Sequence, residues 1–183
     1  MKKGIILLAD GFEPTEALGT QDVLLRAGMI VDLVSINGTN HVVSSMGTKI
    51  CVQLKLELID VSMYDFVIIP GGTKGVENLI NSREVATALK HFYENDKLIC
   101  AICAGPSLLI TLGMLDNRKF TCFPGFEMDA TTRDDKNPVV VDHNLITARS
   151  MYYSIAFAEE IIKFYLGQKG LDKIRFGTRG IKN

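Results

Sequence analysis

Three segments of this chain leave an extended backbone with no polar face. They run through Gly4–Ala9, Asp65–Ile69 and Lys97–Ile102. A strand that is apolar on both sides has to be covered twice, which means a parallel sheet held between two layers of helix. The intervening segments supply those layers. Pro14–Ala27 places Ala17, Leu18, Val23, Leu24 and Ala27 at helical spacing, with Pro14 suited to a first turn and Gly28 to a C-cap. Helical spacing returns over Val76–Asn81, Arg83–Tyr93 and from Ala104-Gly105-Pro106 to about Leu112. A long amphipathic helix is expected over Tyr152–Leu166. Ile30–Ile36 alternates as a strand, and short extended pieces are expected near His41–Val43, Lys49–Val52 and Phe120–Phe123. Val139–Val141 and Leu145–Ala148 read as a hairpin around Asp142-His143-Asn144. The segment after Gly167 is basic and fits no single pattern.

The chain has 183 residues, the size of one domain, with 47% apolar and 22% charged side chains. Its formal charge of −1, without a basic block, argues against a nucleic-acid or membrane surface. Asp10 interrupts the first apolar run too early for a secretion signal, and no stretch approaches the length of a membrane span. Four cysteines in such a chain read as cytoplasmic thiols.

In parallel α/β sheets, ligands sit beyond the carboxyl ends of the strands. Three features converge there: Asp10–Glu16, Pro70-Gly71-Gly72 and Cys103. Ala101-Ile102-Cys103-Ala104-Gly105-Pro106 has small residues two before and two after the thiol, as a sharp strand-to-helix elbow demands. The helix start would aim free N–H groups at the sulfur, so the pKa of Cys103 is expected to be lowered. An inert core cysteine fits the same pattern equally well. Cys100 and Cys103 spell C-x-x-C, but residues three apart in a strand lie about 10 Å apart on opposite faces. A disulfide needs Cα atoms within about 7 Å. A zinc site would need a second ligand pair, which is lacking. Cys51 and Cys122 are expected to be packing residues. Gly71 and Gly72 would bring backbone N–H groups close to a ligand oxygen. Glu13 is expected to be solvated or capping. Glu16, on the face of Thr20, Val23 and Leu24, is either an exposed helix carboxylate or a buried one with a raised pKa and a role in proton transfer.

Together, Ala9–Glu16, Arg26-Ala27-Gly28, Ile69–Gly72 and Ala101–Pro106 resemble the ThiJ/PfpI superfamily, which includes the Parkinson-linked protein deglycase. The similarity runs in order through the helix at 152–166, and is greatest to the bacterial ThiJ/YajL-like branch. The resemblance implies one domain over residues 1–183, a flavodoxin-like three-layer α/β/α sandwich with a mainly parallel sheet, and a homodimer without cofactor or metal. It makes Cys103 the nucleophile, Glu16 its protonated carboxyl partner, and Gly72 and Ala104 the backbone donors. Gly71, Phe123 and Pro124 would line the pocket. The implied activities are conversion of 2-oxoaldehydes to 2-hydroxy acids, action on methylglyoxal adducts, and redox-dependent chaperoning through a Cys103 sulfinate. Many members place His before the Pro of the segment after the elbow helix. Here that segment is Thr121-Cys122-Phe123-Pro124. Since His41, His91 and His143 fall in loop, surface-helix and hairpin positions, a peptidase triad is not expected.

Overall fold

The computed structural model describes residues 1–180. Seven strands form the central sheet: β1 (Lys3–Leu8), β2 (Ile30–Ser35), β5 (Leu54–Lys55), β6 (Phe66–Ile69), β7 (Leu98–Ile102), β8 (Val139–Asp142) and β9 (Leu145–Ala148). Their order is β5-β2-β1-β6-β7-β9-β8, and every neighbouring pair is parallel except β8 with β9. β3 (His41–Val43) and β4 (Lys49–Cys51) form a separate antiparallel hairpin.

Strand periodicity divides the core. Ile5 and Leu7 of β1 face one cluster, which also holds Val67, Ile69, Phe92 and Leu108. Ile6 and Leu8 face the other, with Leu24, Ile68, Phe157 and Ile161. The first cluster lies beneath α2 (Thr73–Ile80), α3 (Arg83–Glu94) and α4 (Pro106–Thr111), and the second beneath α1 (Thr20–Arg26) and α5 (Ser154–Arg179). This is the three-layer, flavodoxin-like sandwich. Among the described residues, no helix is long and apolar enough to cross a membrane.

Three expectations need correction. The first helix is not uniform: Thr15–Gly19 winds as one wide π-type turn before α1 begins. Such a turn admits an extra residue, and Glu16 lies within it, among its buried side chains. Phe120–Phe123 is not a strand. Beyond one isolated bridge from Phe120 to Arg133, Thr121 N–H goes to the Thr147 side-chain hydroxyl of β9 at 2.9 Å and Phe123 N–H to the Cys103 carbonyl of the elbow at 2.9 Å, so these donors are not spent on a ladder. Finally, the helix expected to end at Leu166 continues to Arg179 across a non-helical Gly167 (φ 65°, ψ −177°). Leu171 of that extension is buried, and Arg175 and Arg179 both pair with the buried Glu159, at 3.0 and 2.8 Å. The last three residues of the sequence lie outside the described residues.

Candidate active site

The parallel pairing of β6 with β7 matches Ile69 to Ala101. Two residues further on, Gly71 therefore stands beside Cys103. A Cβ on Gly71 would come within 2.6 Å of Glu16 Oε2, 2.7 Å of Cys103 Cβ and 3.1 Å of the Ala104 nitrogen. A side chain there would have to displace its neighbours, because the three groups already meet around the α-carbon.

Cys103 sits on the elbow at φ 63°, in the left-handed region that a side chain rarely adopts. Its neighbours hold it there. Cys103 N–H donates to the Ala148 carbonyl of β9 at 2.9 Å, and the Cys103 carbonyl accepts from Phe123 N–H. A left-handed non-glycine residue costs roughly 1–3 kcal/mol, and persists only where its surroundings enforce it. Gly105 explains the demand for small residues after the thiol: a Cβ there would lie 2.6 Å from the Ile69 carbonyl oxygen. The sulfur side chain is half-buried, and the Ala104 N–H hydrogen-bonds it.

Glu16 is completely buried. Its Oε2 accepts the Gly71 N–H at 2.6 Å, while Oε1 is buried without a hydrogen-bond partner. Its own N–H is taken by Glu13 Oε2 at 2.6 Å, which makes Glu13 the cap of the wide turn. Glu13 N–H in turn donates to the Gly71 carbonyl at 3.0 Å, lacing the two loops together. The reading of Glu16 as an exposed helix carboxylate is thus overturned. Burial pushes its pKa up to about 7, against the opposing pull of the Gly71 N–H and the Cys103 thiol.

The expected lowering of the Cys103 pKa is also overturned. Burial first, and then the Glu16 carboxylate, push the thiol up to about 12, and the Ala104 N–H only partly offsets them. A helix of six residues contributes too little against a carboxylate in contact. Thiol and carboxyl therefore influence each other's titration, and the carboxyl gives up its proton before the thiol does.

Of the other expected residues, Ala104 lies against the sulfur. Gly72 is half-buried at φ 89°, and a Cβ on it would collide with the Gly11 carbonyl rather than a ligand. Phe123 and Pro124 are exposed beside the elbow. Cys100 is buried within β7, burial raises its pKa, and all four cysteines are free. Among the described residues, no group of three or more His, Cys, Asp and Glu is placed to hold a metal ion. Sequence reasoning missed Ala148, whose contribution is a backbone carbonyl, and named capping by Glu13 only as one alternative, which its bond to the Glu16 N–H bears out. The three-residue spacing of the two glutamates was the available signal for the latter.

The DJ-1/PfpI family profile matches residues 2–164. The chain is 33% identical over 171 residues to the Parkinson disease protein 7 homolog of Danio rerio, covering 91% of this chain and 90% of that one. It is 35% identical over 170 residues to protein DJ-1 homolog B of Arabidopsis thaliana, covering 91% of this chain but spanning only 39% of the plant protein. Among solved structures, oxidized Toxoplasma gondii DJ-1 superposes with a TM-score of 0.93 at 29% identity, covering 98% of each chain. Drosophila melanogaster DJ-1beta superposes with a TM-score of 0.92 at 30% identity, covering 97% of each. With its sequence, its fold and its elbow in agreement, the chain belongs to the DJ-1/PfpI family.

Proposed function

We propose that this single-domain protein is a cytoplasmic, cysteine-dependent stress protein that converts methylglyoxal-type 2-oxoaldehydes, free or as thiol and protein adducts, to 2-hydroxy acids. One observation carries the reading: a half-exposed thiol, fixed on a strained elbow, shares its proton with a buried carboxyl whose pKa is about 7. An acid–base group is most effective when its pKa lies near the working pH.

The steps follow from this pair. Cys103 passes its proton to Glu16, and the thiolate adds to the aldehyde carbon. The C–S bond forms as the carbonyl π pair moves to oxygen, which takes up the proton to give a hemithioacetal. Glu16, again a carboxylate, removes the proton from that carbon, leaving an enediolate; the hydroxyl proton passes to the neighbouring oxygen, and Glu16 returns its proton to the neighbouring carbon. The product is a thioester of the 2-hydroxy acid. Water hydrolyses it, releasing the acid and restoring the thiol. The N–H groups of Ala104 and Gly72 stabilise the oxyanions. No histidine is needed, because one carboxyl both accepts and returns the proton. The resemblance to dimer-forming relatives supports a homodimer as the working unit, and no cofactor is proposed.

A second reading is a redox sensor or chaperone. Cys103 would consume two equivalents of peroxide, reduced to water, and become a sulfinate held by protonated Glu16. The buried, unpartnered Oε1 supports it, as does the relative from Toxoplasma, solved in an oxidized form. Methylglyoxal turnover by the wild type, Cys103→Ala and Glu16→Gln proteins separates the readings. Turnover lost in both variants supports the enzyme. Equal rates in all three refute it, and selective peroxide oxidation of Cys103 ahead of Cys51, Cys100 and Cys122 would then support the sensor.

A further inference from the structure

We infer that Phe123 makes this site selective for neutral 2-oxoaldehydes carrying an aryl or bulky apolar substituent, over both methylglyoxal and 2-oxoaldehydes that carry a carboxylate. The inference rests on the 2-oxoaldehyde reading above and goes on to name the substrate class.

Three observations support it. The Phe123 backbone is tied to the elbow, because its N–H is hydrogen-bonded at 2.9 Å to the carbonyl of Cys103 itself. Cys122 before it is fully buried, yet Phe123 stands 45% exposed. An apolar side chain is thus carried at the surface by a residue bonded directly to the elbow. Phe126 meets it edge-on, with ring centroids 6.4 Å apart and planes at 69°. A further ring could join this exposed pair in the edge-to-face or offset arrangement aromatic groups favour.

The charges point the same way. The charged groups acting most strongly on Cys103 are Glu16 and Glu13, both acidic. Neither Arg133 nor Arg149, the arginines that flank the Phe123 segment and β9 in sequence, offers a free counter-charge. Arg133 pairs with Glu127 at 3.2 Å and Asp135 at 2.9 Å, and Arg149 donates to the carbonyls of Asp135 and Asn137. A substrate carboxylate would meet a carboxylate and no counter-charge, which disfavours it. The anionic hydroxy-acid product would be repelled by the same groups, which helps it leave.

The test is kcat/KM for phenylglyoxal, methylglyoxal and 4-carboxyphenylglyoxal with the wild type, Phe123→Ala and Phe123→Leu proteins, after subtraction of the Cys103→Ala background. Aromatic contact at a partly exposed site predicts about a tenfold preference for phenylglyoxal over methylglyoxal. The ratio should fall towards one in Phe123→Ala and be partly retained in Phe123→Leu. The anionic 4-carboxyphenylglyoxal should be a poorer substrate than phenylglyoxal throughout. Thermal melts of both variants verify that the fold is kept. If methylglyoxal is turned over but the ratio is unchanged in Phe123→Ala, the role of Phe123 is refuted while the glyoxalase reading stands. If 4-carboxyphenylglyoxal is preferred to phenylglyoxal, the charge argument is refuted. If the wild type turns over none of the three, both the inference and the reading beneath it fall.

Discussion

Cys103 and Cys122 look like duplicates of one device. Each is a free thiol whose pKa burial pushes up to about 12. Each lies by a glutamate, Glu16 or Glu127, that accepts a glycine N–H, from Gly71 at 2.6 Å or from Gly125 at 2.7 Å. What separates them is the carboxyl. Glu16 is buried and holds its proton up to about 7. Glu127 has its pKa lowered, chiefly by its own backbone N–H and that of Gly125, with Arg133 alongside. It is ionised at neutral pH but is the weaker base, so it competes less well than Glu16 for a proton from the thiol 4.0 Å away. Cys122 is also wholly buried, whereas Cys103 is partly open on its elbow. The comparison teaches that the thiol's own pKa does not mark the reactive cysteine. The neighbour's capacity to take the proton does.

The largest test of that contrast exchanges the thiols. Cys103→Ser should lower 2-oxoaldehyde turnover by at least ~10³-fold, since the nucleophile is lost. Cys122→Ala should leave kcat/KM within about twofold, and lower the melting temperature modestly by removing a buried sulfur. Comparable losses of turnover in the two variants would break the comparison.

The carboxyls come next. Glu16→Gln should cost ~10²–10⁴-fold in turnover, the range for removing a general acid–base. Glu127→Gln should leave turnover nearly unchanged. The alkylation rate of Cys103 sharpens this further. The form able to make a thiolate by internal transfer is the one-proton state of the pair, so the rate should rise through about pH 7 and level off. That inflection should vanish in Glu16→Gln and survive in Glu127→Gln. A wild-type profile with no inflection near 7 would show that Glu16 and Cys103 titrate independently.

How far this contrast was legible beforehand depends on what carries it. The sheet was readable because β1, β6 and β7 are apolar on both faces, a pattern only a doubly covered parallel sheet accommodates. The elbow was readable from Ala101 and Gly105, whose small size is a steric requirement. The burial of Glu16 was left open by the residue pattern and was implied only by the family resemblance. It depends on the wide Thr15–Gly19 turn, and a π-type turn has no residue signature distinct from an α-helix. The sign of the Cys103 shift failed for a related reason: the helix start is visible in sequence, but the carboxylate in contact is a tertiary fact. The helix beyond Gly167 was missed because its order depends on Glu159 reaching Arg175 and Arg179, sixteen and twenty residues away.

Stability provides a third, smaller effect. The folded protein holds the Glu16 proton more tightly than the unfolded chain, whose carboxyl titrates near 4.5. This contribution is fully present below about 4.5 and is lost as the pH rises through about 7. It amounts to something on the order of 3 kcal/mol. Urea unfolding of the wild type should therefore show stability falling between pH 5 and 8. Glu16→Gln should flatten that fall and be the more stable protein at pH 8. Glu127, with its pKa lowered, acts with the opposite sign: its contribution is present above the unfolded value and lost in acid. A wild-type stability that rises over pH 5–8 would refute the assignment of a raised pKa to Glu16.

The smallest effect is expected at the two glycines. Gly125 lies at φ 94° with open space where a Cβ would go, so Gly125→Ala should cost only the conformational penalty, roughly 1 kcal/mol. It should leave the Cys103 alkylation rate within about twofold. At Gly71 the backbone is unstrained and the obstacle is contact: a Cβ would press on Glu16 Oε2 and Cys103 Cβ at 2.6 and 2.7 Å. Overpacking of this kind costs about 1–3 kcal/mol. Because the atoms displaced are those that exchange the proton, Gly71→Ala should also shift the inflection in Cys103 alkylation away from pH 7. Equal stability losses in the two variants would be uninformative by themselves, so the alkylation profile decides. If Gly71→Ala keeps the wild-type inflection, the carboxyl and thiol do not depend on their close packing around Gly71, and the two cysteine sites differ in exposure alone.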